Sequence, residues 1–427
     1  MIKIAYICHF STPAIRKRLR LKSFWIGNFL RRIAHIPKVS YTDFATWNNG
    51  FIRALENNDN YQCHVISYHL GLRIKSQSFQ INTTRYYFLR EREHLLKKVW
   101  RRIIHSCKED KYPNSAKRIK GVANTINPDL IIVCGAENPI YSSAALVFQG
   151  KPVLIILQTL LNSPKRIELG IGTAYRRELE NKIIKHNSYF GSFNLEDVLY
   201  INEVNTNAFC FKLMFPSSLP GLVSSQVKVY DFVFFANGLS KYKGTEDVLR
   251  GFSYVHERYP QIKINIIGSC DESYKKQLNA IMDNLHIRED VSFHERFPRK
   301  IDMLQEVMSA KVAVLPGITA PLNSTVRECM FLGIPVVLYE NSVTRIINKE
   351  QCCLLTAKME DCIDLGRKML YAYEHPLEMA IMAEEARQYA DSFFSEKAVG
   401  DNFSAIIDAV IGHYYRKETI PMRLLLE

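Results

Sequence analysis

Runs of consecutive apolar residues, each followed by a polar or glycine-bearing loop and then a helical period, recur along most of this chain. In the first half, strands are predicted over residues 1–8, 63–67, 85–89, 130–134 and 151–157. Helices are predicted between them over 43–57, 91–107, 141–148 and 175–186. Residues 187–218 mix Asn, Phe and Ser with weak periodicity, and no element is assigned there. From 231 onward the rhythm is cleaner. Strands are expected over 231–236, 262–267, 291–293, 312–315 and 335–338, with helices over 245–258, 272–285, 301–309, 361–373, 377–389 and 401–415. The apolar runs are continuous rather than alternating, which is the pattern of parallel strands covered on both faces. Strand and helix alternate in both halves, so the fold class is α/β, with two doubly wound Rossmann-like domains facing across a cleft. The stretch P-S-S-L-P-G at 216–221 reads as the linker. It places a first domain over 1–218 and a second over 228–395.

The stretch 316–337, P-G-I-T-A-P-L-N-S-T-V-R-E-C-M-F-L-G-I-P-V-V, adds chemistry to this pattern. Pro316 and Gly317 break a strand, Thr325 with Glu328 matches the S/T-x-x-E box that opens a helix, and Gly333 closes it. A loop ending at a helix start, beyond the carboxyl end of a strand, is where open α/β sheets bind anions. Asn323, Ser324 and Thr325 offer backbone N–H groups and hydroxyls there. Lys243-Gly244 lies in a second strand-to-helix loop, S-K-Y-K-G, where a lysine can reach a phosphate as a point charge. Together the two loops make a site for a diphosphate, and Glu328 can accept hydrogen bonds from a ribose diol.

Charge points the same way. A 427-residue chain with a formal net charge of +13 favours anionic partners. Nine Lys or Arg and no acid precede Asp43. Between 16 and 32 they flank Phe24, Trp25, Ile26, Phe29 and Leu30, the mix of an interfacial amphipathic segment, and 92–102 is a second basic stretch. Contact with an anionic membrane surface competes here with the plainer reading of solvated basic faces. The ten cysteines show neither disulfide nor zinc spacing, which suits a reducing cytoplasm. No run is long enough to span a bilayer, and the opening I-K-I-A-Y-I-C reads as a strand rather than a signal sequence. No nucleic-acid module is present, and no G-x-G-x-x-G follows a strand, which disfavours nucleic-acid binding and dinucleotide chemistry.

The segments F-F-A-N-G-L-S-K-Y-K-G-T-E-D-V-L-R-G-F, Y-P-Q-I-K-I-N-I-I-G and S-T-V-R-E-C-M-F-L-G-I-P-V-V resemble, in order and spacing, the carboxyl-terminal domain of retaining GT-B glycosyltransferases of family 4. N-P-D-L-I-I-V-C-G-A-E-N-P resembles the family's acceptor domain more loosely. The resemblance implies a nucleotide-sugar as donor substrate, no further cofactor and no metal, and a final helix within 396–427 that crosses back to the first domain. By position, Lys243 would hold the donor diphosphate with Gly238 and Ser240 in its loop. Asn323, Ser324 and Thr325 would present the helix start to the phosphates, and Glu328 would hold the ribose. Glu137 and His9 are the candidates on the acceptor side. The pattern departs from the family at Ala320, where a glutamate usually stands, and at 238–240, where an arginine is usual. The leading expectation is a cytoplasmic enzyme, peripheral on the membrane's inner face, moving a sugar to a growing surface glycan or lipid-linked acceptor. A sugar-nucleotide epimerase and a degenerate GT-B chain that binds nucleotide or a partner are the alternatives.

Overall fold

A computed structural model of the protein describes residues 1–33, 40–90, 114–219, 221, 227–297, 299–318 and 322–426. The helix expected over 91–107, the basic stretch 92–102 and Ala320 lie outside these residues, as does part of the linker region. The chain divides into two compact units, Met1–Phe215 with Val399–Glu427, and Pro216–Ala398.

The first unit is built on an eight-stranded sheet: β1 (Ile2–Cys8), β2 (Tyr61–His69), β3 (Ser76–Ile81), β4 (Thr84–Arg90), β5 (Leu130–Cys134), β6 (Val153–Ile156), β7 (Tyr189–Ser192) and β8 (Phe209–Lys212). Their spatial order is β3-β4-β2-β1-β5-β6-β7-β8. All neighbours are parallel except β3 and β4, and the register pairs Ile4 with Cys63 on one side and Leu130 on the other. The central strands are apolar throughout because helices cover both faces: every residue of β5 and β6 is buried. β3 is the exception. Its sequence S-Q-S-F-Q-I alternates half-buried and exposed positions as an antiparallel edge strand does, and it carries too few apolar residues to register as a strand by sequence.

Three expectations change here. The helix expected over 43–57 is Asn48–Glu56, because Ala45 takes a left-handed φ of 47° and ends any continuous helix before it. The stretch 141–148 forms a short 3₁₀ helix, Ser142–Leu146, in place of an α-helix. The unassigned stretch 187–218 supplies β7, the helix Leu195–Val204 and β8, and the two strands, Y-F-G-S and F-C-F-K, lack the continuous apolar run that marks the others. The helix Glu396–Ile411 joins the first unit from Val399 onward. Phe403 meets the Phe51 ring at 4.9 Å, the Tyr61 hydroxyl donates to Asp408 Oδ1 at 2.9 Å, and Asn402 Nδ2 donates to the carbonyl of Lys212 at 2.8 Å. Burying a phenylalanine such as Phe403 contributes about 1.5–3 kcal/mol.

The second unit holds a six-stranded, all-parallel sheet of β9 (Tyr230–Phe235), β10 (Ile264–Ile267), β11 (Val291–His294), β12 (Ala310–Val314), β13 (Val336–Tyr339) and β14 (Leu355–Ala357), in the order β11-β10-β9-β12-β13-β14. The expected helices appear as Thr245–His256, Glu272–Asn284, Lys300–Val307, Ser324–Leu332, Cys362–Glu374 and Pro376–Phe393. One helix was not expected. Ser342–Glu350 opens with a capping box in which Asn341 accepts from Thr344 N and the Thr344 hydroxyl accepts from Asn341 N.

In both sheets the chain reverses its direction of travel once. It runs outward from β1 through β2 to the antiparallel pair β3–β4, then restarts at β5 on the other side of β1. It likewise runs from β9 to β11 and restarts at β12 beside β9. The carboxyl ends of β1 and β5, and of β9 and β12, are therefore topological switch points. Successive loops diverge there and leave a crevice for a ligand.

Candidate functional site

Two loops meet at the switch point of the second unit. The loop after β9 runs through Gly238 and Ser240 into a 3₁₀ turn, Lys241–Lys243, and Gly244 starts the helix Thr245–His256 with a φ of 78°. The turn is fixed by Lys243 N donating to the Ser240 carbonyl at 3.0 Å, and by the Thr245 hydroxyl, which accepts from Ser240 N at 3.2 Å and donates to Ser240 O at 3.1 Å. The loop after β12 begins at Leu315-Pro316, and Ile318 N donates to the Tyr242 carbonyl at 3.2 Å. A Cβ on Gly244 would come within 2.7 Å of Pro316 Cγ, so glycine serves there both for the positive φ and for the close approach of the two loops. Lys243 and the helix Ser324–Leu332 thus share one rim.

The local start of that helix differs from the sequence expectation. Asn323 is the N-cap, its side chain accepting from Val326 N at 3.1 Å, and the Thr325 hydroxyl donates to the same oxygen. The Thr325–Glu328 capping box does not form: Glu328 instead pairs with Lys300, whose Nζ lies 2.8 Å from Glu328 Oε1. The backbone is extended at Asn323 and already helical at Thr325, so the cap falls on Asn323, a residue type at least as favourable there as Thr. Ser324 and Thr325 occupy the first turn, Ser324 exposed and Thr325 half-buried. No acid stands in that first turn, whereas Glu246 and Asp247 stand in the first turn of Thr245–His256. The helix at Ser324 therefore has no acid of its own first turn to offset its positive end.

The switch point of the first unit has different chemistry. Glu137 follows β5 and is buried. Its carboxyl folds back against Gly135, whose φ of 107° and missing Cβ make room for it. Glu137 Oε2 has no hydrogen-bond partner among the described residues. Burial is the main cause that lifts the carboxyl to about 7; Glu180 adds to the rise, and Arg176 and two backbone N–H groups oppose it. Arg176 Nε donates to the Glu137 carbonyl at 2.8 Å. Two further buried carboxyls belong to the same neighbourhood. Glu180 accepts from Leu161 N at 3.0 Å and Asn162 N at 2.9 Å, and Asp197 accepts from the Ser192 hydroxyl at 2.7 Å. Burial raises both, Asp197 to about 6. Arg166 interacts with all three acids. His9, after β1, is half-buried against the Phe44 ring at 4.6 Å and the Tyr141 ring at 6.3 Å. Burial, aided by His69, lowers it to about 4, so its imidazole is neutral at neutral pH.

The nine site residues named from sequence thus fall on two rims: Gly238, Ser240, Lys243, Asn323, Ser324, Thr325 and Glu328 on the second unit, and His9 and Glu137 on the first. Sequence reasoning did not find Lys300, Arg166 or Arg176. Each stands in a run of ordinary helix charge, and only the fold aims it at a partner. The second rim can hold an anion through a lysine and a helix start. The first offers a neutral imidazole and a carboxyl poised near neutrality, suited to hydroxyl contacts.

Residues 225–389 match the family model described as glycosyl transferases group 1. A stretch of 104 residues, 24% of this chain, is 30% identical to an uncharacterized glycosyltransferase of Haemophilus influenzae and spans 28% of that relative's length. Among solved structures the chain resembles sucrose-phosphate synthase from Thermosynechococcus elongatus (TM-score 0.66, 12% identity, covering 96% of this chain and 98% of that one). It also resembles Anabaena HepE in complex with UDP and glucose (TM-score 0.63, 11% identity, 96% and 100%). A third neighbour is WaaG, a glycosyltransferase involved in lipopolysaccharide biosynthesis (TM-score 0.58, 11% identity, 93% and 98%).

The Glu137 carboxyl gives a stability test. Its folded value lies above the ordinary 4.5, so its favourable contribution is complete below pH 4.5 and is lost as pH rises through about 7. The cost at pH 8 is on the order of 3 kcal/mol. In thermal melts from pH 5 to pH 8, Glu137→Gln should gain stability relative to the parent as pH rises; a constant offset would show that the carboxyl is not perturbed.

The chain has the two-unit fold of GT-B glycosyltransferases, and its residues 225–389 carry the sequence pattern of glycosyl transferases group 1.

Proposed function

We propose that the protein is a retaining glycosyltransferase that moves a sugar from a nucleotide-sugar to a growing surface glycan or lipid-linked acceptor. The observation that carries the reading is the convergence of Lys243 and the acid-free helix start at Ser324 on one switch point. Departure of the nucleoside diphosphate builds negative charge at that place, and an ammonium carried on a braced turn with a helix N-terminus stabilises it, so the reading assigns no metal to the step. HepE is seen in complex with UDP and with UDP-glucose, which supports a nucleotide-sugar as the donor class. His9 and Glu137 are assigned to the acceptor.

The membrane part of the reading rests on the helix Trp25–Ile33. Trp25, Phe29 and Ile33, one turn apart on one face, are 70%, 60% and 63% exposed, with Arg31 and Arg32 beside them and Arg18, Arg20 and Lys22 just before. Exposed aromatic and aliphatic side chains flanked by cations suit a surface of anionic headgroups. Among the described residues no helix is long and apolar enough to cross a membrane. On the strength of this exposed basic and aromatic face, we propose a peripheral protein at the cytoplasmic face of the membrane.

Two measurements test these assignments. With a panel of UDP-, GDP- and ADP-sugars and a lipid extract as acceptor, Lys243→Ala should lower transfer by about 10²–10³-fold. Unchanged turnover would remove the phosphate role, and nucleotide binding with no product from any acceptor would favour the nucleotide-binding alternative. In sedimentation with phosphatidylglycerol–phosphatidylcholine vesicles, the protein should bind at low salt and less at about 0.5 M salt, and Trp25→Ala/Phe29→Ala should release it. Failure to bind at low salt would remove the membrane surface.

A further inference from the structure

The pairing of Lys300 with Glu328 goes beyond the family pattern. Glu328 lies four residues into the helix Ser324–Leu332, about 6 Å along the axis from its first residue. That is the spacing of a ribose from the phosphate it carries. The Glu328 side chain is 7% exposed and that of Lys300 is 46% exposed, so the carboxylate is set into the unit while the ammonium also reaches water. Lys300 is the first residue of the helix Lys300–Val307, where the macrodipole opposes a cation. The acid of its own first turn, Asp302, is held by Arg299, whose Nε donates at 2.7 Å. The local helix therefore gives the lysine no reason to be there; its partner comes from another helix.

One ammonium on Oε1 has two consequences. A carboxylate this enclosed gains a direct ionic partner in the lysine. A carboxylate has roughly four lone-pair sites, and one ammonium at Oε1 restrains its orientation without filling them. An ionised, oriented carboxylate matches two vicinal hydroxyl donors, and a ribose 2′,3′-diol presents that pair. We propose that Lys300 is a positioning residue that orients Glu328 to receive a ribose diol, and thereby sets a preference for ribonucleotide over 2′-deoxyribonucleotide. The proposal rests on the reading of this rim as a nucleotide-sugar site.

The test is calorimetric titration of the full chain with UDP, GDP and ADP, followed by the 2′-deoxy form of whichever binds best. The parent should prefer the ribonucleotide by about tenfold, as expected for one charge-assisted hydrogen bond. Lys300→Met should erase most of that ratio by weakening the ribonucleotide alone, Lys300→Arg should restore part of it, and adding Lys300→Met to Glu328→Gln should change nothing further. Equal weakening of both forms with the ratio retained would overturn the proposal and leave Lys300 as a general cation or a folding residue, with circular dichroism separating those two. A folded parent that binds none of the three nucleotides would overturn the donor-site reading itself.

Discussion

Strands β9 and β12 lie side by side, yet the chain leaves them in opposite directions, and the crevice this opens is the constraint on which the second unit's chemistry depends. No crossover helix can cover the carboxyl ends of both strands at that point. The loops that diverge there must hold their own shape, and they do so by bracing each other. Gly244 lies against Pro316, Tyr242 accepts from Ile318, and Thr245 pins the turn that carries Lys243. A lysine on an unbraced loop would lose its rotamer freedom only on binding. Here much of the backbone ordering is already complete.

The same topology in the first unit ends in nearly opposite electrostatics. Its rim buries Glu137, Glu180 and Asp197 and balances them with Arg166 and Arg176, leaving carboxyls lifted by burial and a neutral His9. The second unit's rim presents a lysine and a helix start without acid. Fold alone therefore does not decide what either crevice receives. The placement of acids does: two in the first turn at Thr245, none at Ser324, and in the first unit one in the loop after β5 and two on the helices Ala174–His186 and Leu195–Val204.

Most of the layout was legible in the linear pattern because parallel strands covered on both faces must be continuously apolar, and 130–134 or 264–267 could hardly be anything else. Legibility failed where that pressure is absent. The edge strand β3 needs only half an apolar face, β7 (Y-F-G-S) and β8 (F-C-F-K) break their apolar runs with Gly, Ser and Lys, and the helix Ser342–Glu350 buries only a narrow stripe through Val343 and Ile347. At the candidate site, Lys243, Ser324 and Glu328 could be named from spacing. The cap could not be assigned correctly, since Asn323 and Thr325 both match a cap and only backbone geometry chooses between them.

The sequence by itself determined the fold class, the two-unit layout, the anion-seeking loops and the excess of basic charge, since each of these follows from local patterning and composition. Tertiary structure alone decided which groups meet. Lys300 reaches Glu328 across 28 residues of chain, and Arg166 stands among three carboxyls from separate elements. The physical reason is that pairing energies of charged groups depend on distance and burial. Neither quantity is written in the order of residues along the chain.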